Sequence, residues 1–186
     1  MISVLEKRFS PIKGLFLDVL IAAFGSVLIA MAAPLSCALP FSVIPLTFQV
    51  HLALLVAFLL GKKRGVLAVA LFLMQGAMGA PVFAGGACGI AHLLGPRGGY
   101  LFGYLMGALF IQRCSPITLK EIFFVFIGAN LVVYFFGVLF LSTFMSPFKA
   151  LECGVLPFII GDFLKTIAIS ACAKSLRSDS PFQRQR

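Results

Sequence analysis

Residues 122–145 read IFFVFIGANLVVYFFGVLFLSTFM, an unbroken run with no charged side chain. A transmembrane helix needs about 20 consecutive apolar residues, so this stretch is long enough to cross a bilayer. Working outward from it, further apolar blocks fall at 14–34, 47–60, 65–79, 99–112 and 155–173, separated by Pro, Gly or charged punctuation. The composition agrees: 61% of residues are apolar and 11% charged, with a mean hydropathy of +1.09. A soluble globular domain carries about 25% charged residues, so a water-soluble reading is excluded. The expected fold is an all-α integral membrane domain of six transmembrane helices spanning 1–186, ending in a basic cytoplasmic tail at 174–186.

The first block follows Lys7, Arg8 and Lys13 and ends near Ala32-Ala33-Pro34, in the manner of a secretory signal. It exceeds the roughly 7–15 residues of a signal core and reads as the first span. Blocks two to four are short. Sixteen helical residues rise only about 24 Å against a hydrocarbon core of about 30 Å, so flanking residues must lengthen these spans, or the second and third form a re-entrant pair.

The positive charge has a pattern. Lys7, Arg8 and Lys13 precede the first block; Lys62, Lys63 and Arg64 follow the second; Arg113 and Lys120 follow the fourth; Lys174, Arg177, Arg184 and Arg186 follow the last. The alternate connections at 35–46, 80–98 and 146–154 carry only Arg97 and Lys149. Under the positive-inside rule this strict alternation gives six spans with both termini cytoplasmic, in the cell membrane. It also accounts for the formal net charge of +9 without nucleic acid as a partner. The outer connections are rich in Pro, Gly, Phe and Leu instead. Non-helical backbone at membrane depth must be buried in protein or line a cavity. The connection between helices 3 and 4, which contains Ala80-Pro-Val-Phe-Ala-Gly-Gly-Ala-Cys-Gly89, is therefore expected to fold down as a lid.

Two acidic residues lie well inside apolar blocks, Asp18 and Asp162, and only Asp162 has a basic neighbour at helical spacing, Lys165. Ionisable residues inside spans normally face the protein interior and mark a substrate or ion path. In one reading the pair ties the last helix to the bundle, with the lysine snorkelling to the interface. In the other, Lys165 offers a cation to a ligand carboxylate while Asp162 accepts hydrogen bonds from ligand N–H groups or orients the lysine. Gln49, His51, Gln75, Asn130, Tyr134 and Thr166 are further polar residues in or beside spans, each able to complete a hydrogen-bond set or simply to join helices. In the first helix Ala22, Ser26 and Ala30 recur every four residues, a small-residue stripe that admits a close helix, either internal or from a partner.

Several chemistries find no support. The five cysteines form no CxxC pair and the two histidines lack ligand spacing, so neither a metal nor a disulfide framework is expected. No GxxxxGK[ST], HExxH or GxSxG motif occurs, and no nucleophile–base pair is recognisable. The chain reads as a non-enzyme without a cofactor.

Ile44-Pro-Leu-Thr-Phe-Gln49, Gly61-Lys-Lys-Arg-Gly65, Gly79-Ala-Pro-Val-Phe-Ala-Gly-Gly86, Leu94-Gly-Pro-Arg-Gly-Gly-Tyr-Leu-Phe-Gly103, Asn130 with Tyr134 and Gly137, and Gly154-Val-Leu-Pro-Phe-Ile-Ile-Gly-Asp-Phe-Leu-Lys165 follow one another along the chain. Together they resemble the BioY family, the biotin-binding substrate (S) components of energy-coupling-factor (ECF) transporters. The sequence departs from that pattern at Arg97, where a small polar residue is usual, and in its wealth of Phe and Cys.

The resemblance implies a six-helix bundle that captures biotin at its outward side and passes it to the cytoplasm, working with a transmembrane coupling subunit and ATPase subunits, the Ala22, Ser26 and Ala30 stripe being a candidate contact. For the site it implies Asp162 and Lys165 as polar anchor, Gly85 and Gly86 as points of close backbone approach, and Phe83 and Tyr100 as apolar walls. Gln49 and Asn130 complete the set. Biotin's carboxylate, ureido N–H groups and apolar ring suit a mostly apolar pocket with few polar anchors. Two other readings keep the residues and change the role: an S component for a different vitamin, or a membrane scaffold whose Asp–Lys pair is structural.

Overall fold

The computed structural model describes residues 2–37 and 44–178. The tail positions Arg184 and Arg186, and residues 38–43 of the first outer connection, lie outside that set. Among the described residues eight α-helices follow one another: α1 (Ile2–Ala30), α2 (Gln49–Leu60), α3 (Lys62–Ala77), the single-turn α4 (Ile90–Leu93), α5 (Gly98–Arg113), α6 (Leu119–Leu141), α7 (Pro147–Gly154) and α8 (Ile159–Ser178). A two-residue antiparallel ladder, β1 (Ser36–Cys37) with β2 (Leu46–Thr47), pairs Ser36 with Thr47 and Cys37 with Leu46.

Element boundaries differ from the apolar blocks for local reasons. The α6 helix starts three residues before its apolar run because Thr118 and Glu121 form a reciprocal capping box, which satisfies N–H groups that have no intrahelical partner. The outer connection at 146–154 is not a loop. Pro147 stands at the start of a helix behind Ser146, where its fixed φ suits the first turn and its missing N–H costs nothing. The α1 helix begins at Ile2, well ahead of its apolar block, and stops at Ala30.

Between α2 and α3 there is only Gly61, at φ 79°, a conformation that favours glycine. Gly65 then lies so close that a Cβ there would sit 2.3 Å from the Ala57 carbonyl oxygen. The two helices therefore form a tight antiparallel hairpin. Their 12 and 16 residues rise about 18 and 24 Å. Among the described residues α6 alone is long and apolar enough to cross a bilayer, and α7 with α8 passes as a pair bent by 49°.

Unlike those of a water-soluble bundle, the outward faces are apolar too. On α6, Phe124, Leu131, Phe135 and Leu139 are exposed, whereas Asn130 and Gly137 face inward. On α8, Ile160, Phe163, Leu164 and Ile167 are exposed while Asp162, Thr166 and Ser170 are buried. The core brings together Phe72, Phe83, Phe126, Leu54 and Ile111, all but fully buried.

The small-residue stripe of α1 is used inside the chain. Ala22 and Ser26 are fully buried and Ala30 is half-buried; Ser26 accepts a hydrogen bond from Gln75 of α3 at 3.0 Å. A Cβ on Gly25 would meet Leu60, Val56 and Ala68. The stripe serves the approach of the α2–α3 hairpin within the chain. At one end of the bundle, Arg64 and Asp18 form an ion pair at 2.6 Å. The Lys174 ammonium donates to the Ile117 carbonyl at 2.8 Å, and Arg177 donates to the Pro116 carbonyl.

Candidate functional site

Opposite the end where Arg64 meets Asp18, the cavity is walled by the ladder, the 80–98 connection and the facing sides of α5, α6 and α8. Its empty space is about 640 Å³ including an open mouth. Apolar and aromatic side chains dominate the wall, among them Phe83, Tyr100, Tyr104 and Phe158, while Asp162, Asn130, Gln49 and Arg97 supply polarity.

The polar floor is a connected network. The Tyr134 hydroxyl donates to Asp162 Oδ2 at 2.5 Å, and Lys165 Nζ donates to Asp162 Oδ1 at 3.1 Å. Lys165 also donates to the Thr47 carbonyl at 2.8 Å. Behind them, Thr166 donates to the Asp162 carbonyl at 2.7 Å and accepts from Asn130 Nδ2 at 3.1 Å. His51 Nε2 lies 3.3 Å from both the Asp162 carbonyl and Asn130 Nδ2. Asp162 begins α8 just past the bend, and its carboxylate is 11% exposed. Each carboxylate oxygen has a second lone pair, so Asp162 can accept further donors from the cavity.

Gln49 is tied down by its two amide hydrogens, one to the Val82 carbonyl at 2.7 Å and one to the Ile29 carbonyl at 3.3 Å. Its Oε1 is buried without a partner among the described residues. A buried acceptor left unmade costs about 1–3 kcal/mol, a cost this wall carries at Gln49.

The 80–98 connection contributes Phe83, Ala84, His92 and Arg97 to the wall. Phe83 is fully buried, stacked on His92 with centroids 5.5 Å apart and edge-on to Phe72; a Cβ on Gly76 would be 2.0 Å from its ring. Burial first, then the nearby Arg97 charge, holds the His92 imidazole below its ordinary pKa, so it is neutral at pH 7. Tyr100 is wedged equally firmly. Its hydroxyl donates to the Gly154 carbonyl at 2.9 Å, and a Cβ on Gly137 would be 2.4 Å from its ring.

Of the residues singled out from sequence, Asp162, Asn130, Tyr134, Gln49, Phe83 and Tyr100 line the cavity. Lys165 reaches Asp162 and Thr47 from beside it. Gly85 and Gly86 take φ 73° and 75° in the turn behind Ala84, where Gly85 donates to the Ala33 carbonyl, and Ala84 is the residue on the wall. Sequence reasoning misses Thr47, His92, Arg97 and Phe158 as members of the wall. Tyr104, at i, i+4 from Tyr100 and so on the same helix face, joins it on the wall.

A model of the BioY family matches residues 7–182. The chain belongs to the BioY family. Among BioY relatives, the biotin transporter BioY of Thermotoga maritima is 36% identical over 161 residues, covering 84% of this chain and 93% of the relative. The biotin transporter BioY2 of Lactococcus lactis is 36% identical over 153 residues, covering 80% and 83%. A crystal structure of the S-component for biotin from an ECF-type ABC transporter superposes with a TM-score of 0.77 at 27% identity, covering 94% of this chain and 95% of that one. The BioY fold, and with it the helical arrangement around the cavity, is thus shared with a solved S component.

Proposed function

We propose that this protein is the biotin-binding S component of an ECF-type transporter, taking up biotin across the cytoplasmic membrane. The observation that carries the reading is the Asp162 carboxylate, held by Tyr134 and Lys165 on the wall of a largely apolar cavity. Asp162 accepts ligand N–H groups and Lys165 holds the carboxylate in place, while Asn130 and Gln49 add polar contacts. Phe83 and Tyr100 wall the apolar ring, and Gly85 and Gly86 shape the turn that carries Ala84 to the ligand. The 80–98 connection serves as the lid. Lacking a nucleotide-binding motif, the chain draws its energy from a transmembrane coupling subunit and ATPase subunits, in keeping with its likeness to a component of an ECF-type ABC transporter.

In this reading the domain crosses the bilayer six times with cytoplasmic ends. Three features support it: the alternation of basic residues between connections, the apolar outward faces of α6 and α8, and the meeting of Arg64 with Asp18 and of Lys174 with the α5–α6 connection at one end. Labelling of intact cells by a membrane-impermeant maleimide at Cys88, which is exposed in the lid, is the direct check. Reaction at Cys88 from outside is expected, and protection until permeabilisation would reverse the orientation. For the ligand, titration of purified protein with biotin should give saturable one-to-one binding that thiamine and riboflavin do not compete. Displacement by either would change the vitamin.

A further inference from the structure

Asn130 and Tyr134, one turn apart on α6, and Asp162 on α8 all stand on the cavity wall. The Asp162 carboxylate has no hydrogen to offer, and the Tyr134 hydroxyl spends its own on Asp162 Oδ2. Asn130 needs its orientation fixed, because a side-chain amide has a donor end and an acceptor end that only their partners tell apart. The deciding partner is Thr166, fully buried on α8 and not a member of the wall. A hydroxyl has one hydrogen, and that of Thr166 goes to the Asp162 carbonyl one turn back at 2.7 Å, the backward bond open to Ser and Thr within helices. The Thr166 oxygen can then only accept from Asn130, 3.1 Å away, so the amide nitrogen is the end that faces it. His51 Nε2, 3.3 Å from that nitrogen, lies on the same side. The amide oxygen is left without a partner among the described residues, yet it is not sealed off as the Gln49 oxygen is.

Resting on the biotin reading, we infer that the Thr166 hydroxyl fixes the Asn130 amide with its oxygen toward the cavity, so that Asn130, Tyr134 and Asp162 form a floor of acceptors only. Such a floor takes the N–H edge of a cyclic urea. It rejects a ligand that turns an acceptor toward it, since two lone pairs then meet with no hydrogen between them. Flipping the amide would put a donor on the floor, but it would also set the amide oxygen against a Thr166 oxygen whose hydrogen is already committed. Thr166 is therefore a positioning residue: it does not touch the ligand and acts through Asn130.

Biotin affinity of the purified full chain, with the melting temperature measured alongside, separates this role from packing. Thr166→Val keeps the shape and deletes the hydroxyl, whereas Thr166→Ser keeps the hydroxyl and deletes a methyl. Affinity should fall about threefold to tenfold in Thr166→Val, the worth of one hydrogen bond. In Thr166→Ser it should stay within about twofold of native even where the melting temperature drops. Native affinity in Thr166→Val, or a loss in Thr166→Ser as large as that in Thr166→Val, overturns the inference and makes Thr166 a packing residue. In an Asn130→Leu background, Thr166→Val should cost no further affinity, because the amide it positions is gone. A full second loss there would mean that Thr166 acts through the Asp162 carbonyl, and it too overturns the inference. Native protein that does not bind biotin fails the biotin reading itself, a result distinct from all of these.

Discussion

The Asp18–Arg64 and Asp162–Lys165 pairs of this bundle differ in almost everything except charge. Asp18 and Arg64 join α1 to α3 across 46 positions of sequence, with side chains 30% and 27% exposed. Asp162 and Lys165 are three residues apart on one helix, 11% and 19% exposed, and backed by Tyr134, Thr166, Asn130 and His51. The first pair bridges two helices at one end of the bundle. The second borders a cavity and sits on a network whose other members fix it from behind. An ion pair marks a binding site when the surrounding structure immobilises it and leaves lone pairs facing empty space; a pair that only bridges two helices is a fastener.

Perturbing each pair in turn breaks or sharpens this contrast. The largest effect belongs to Asp162→Asn. It removes the charge that Lys165 neutralises and the acceptor offered to the ligand, and a charged hydrogen bond is worth about 1.5–3 kcal/mol. Biotin affinity should fall by about a hundredfold by calorimetry while the protein still elutes as a single detergent-solubilised species. Normal affinity would remove Asp162 from the site.

Next is Gly137→Ala, which touches neither pair. The added methyl overlaps the Tyr100 ring, and overpacking costs about 1–3 kcal/mol. A lower melting temperature is expected together with about tenfold weaker biotin, since Tyr100 must leave its place on the wall. Tyr134→Phe deletes one donor to Asp162 and keeps the ring. A loss of about threefold to tenfold in affinity is expected from one hydrogen bond, and no change would reduce Tyr134 to packing.

The smallest effect belongs to Asp18→Asn. The pair is half-buried and its partners are not on the cavity wall, so the melting temperature should fall modestly and biotin affinity not change. A large affinity loss there would dissolve the distinction between fastener and site.

These pairs also show what a sequence discloses. The Asp162–Lys165 contact is legible because it is local: residues three apart on a helix share a face. The Asp18–Arg64 pair is not, because its partners are brought together only by the packing of α3 on α1. The same limit applies to Arg97 and Thr47, whose place on the wall depends on how the outer connections fold over the bundle. The Ala22, Ser26 and Ala30 stripe announces a helix-packing surface, but which helix it meets is a tertiary fact. Boundaries are legible in part. Thr118 with Glu121 and Ser146 before Pro147 are local start signals for α6 and α7 that apolar blocks overlook. Why α1 continues as far back as Ile2 has no such local explanation in its caps or charges.

One side-chain amide, that of Gln49, is stitched to α1 through the Ile29 carbonyl and to the 80–98 connection through Val82. The same connection is held by backbone bonds from Gly85 to the Ala33 carbonyl and from Gly89 to the Gly76 carbonyl. Each bond is individually modest, so under the proposed lid role a swing of the connection would leave the bundle folded. Residence of a bound molecule would then be set by a few contacts at the rim, separately from how tightly the floor of the pocket grips it.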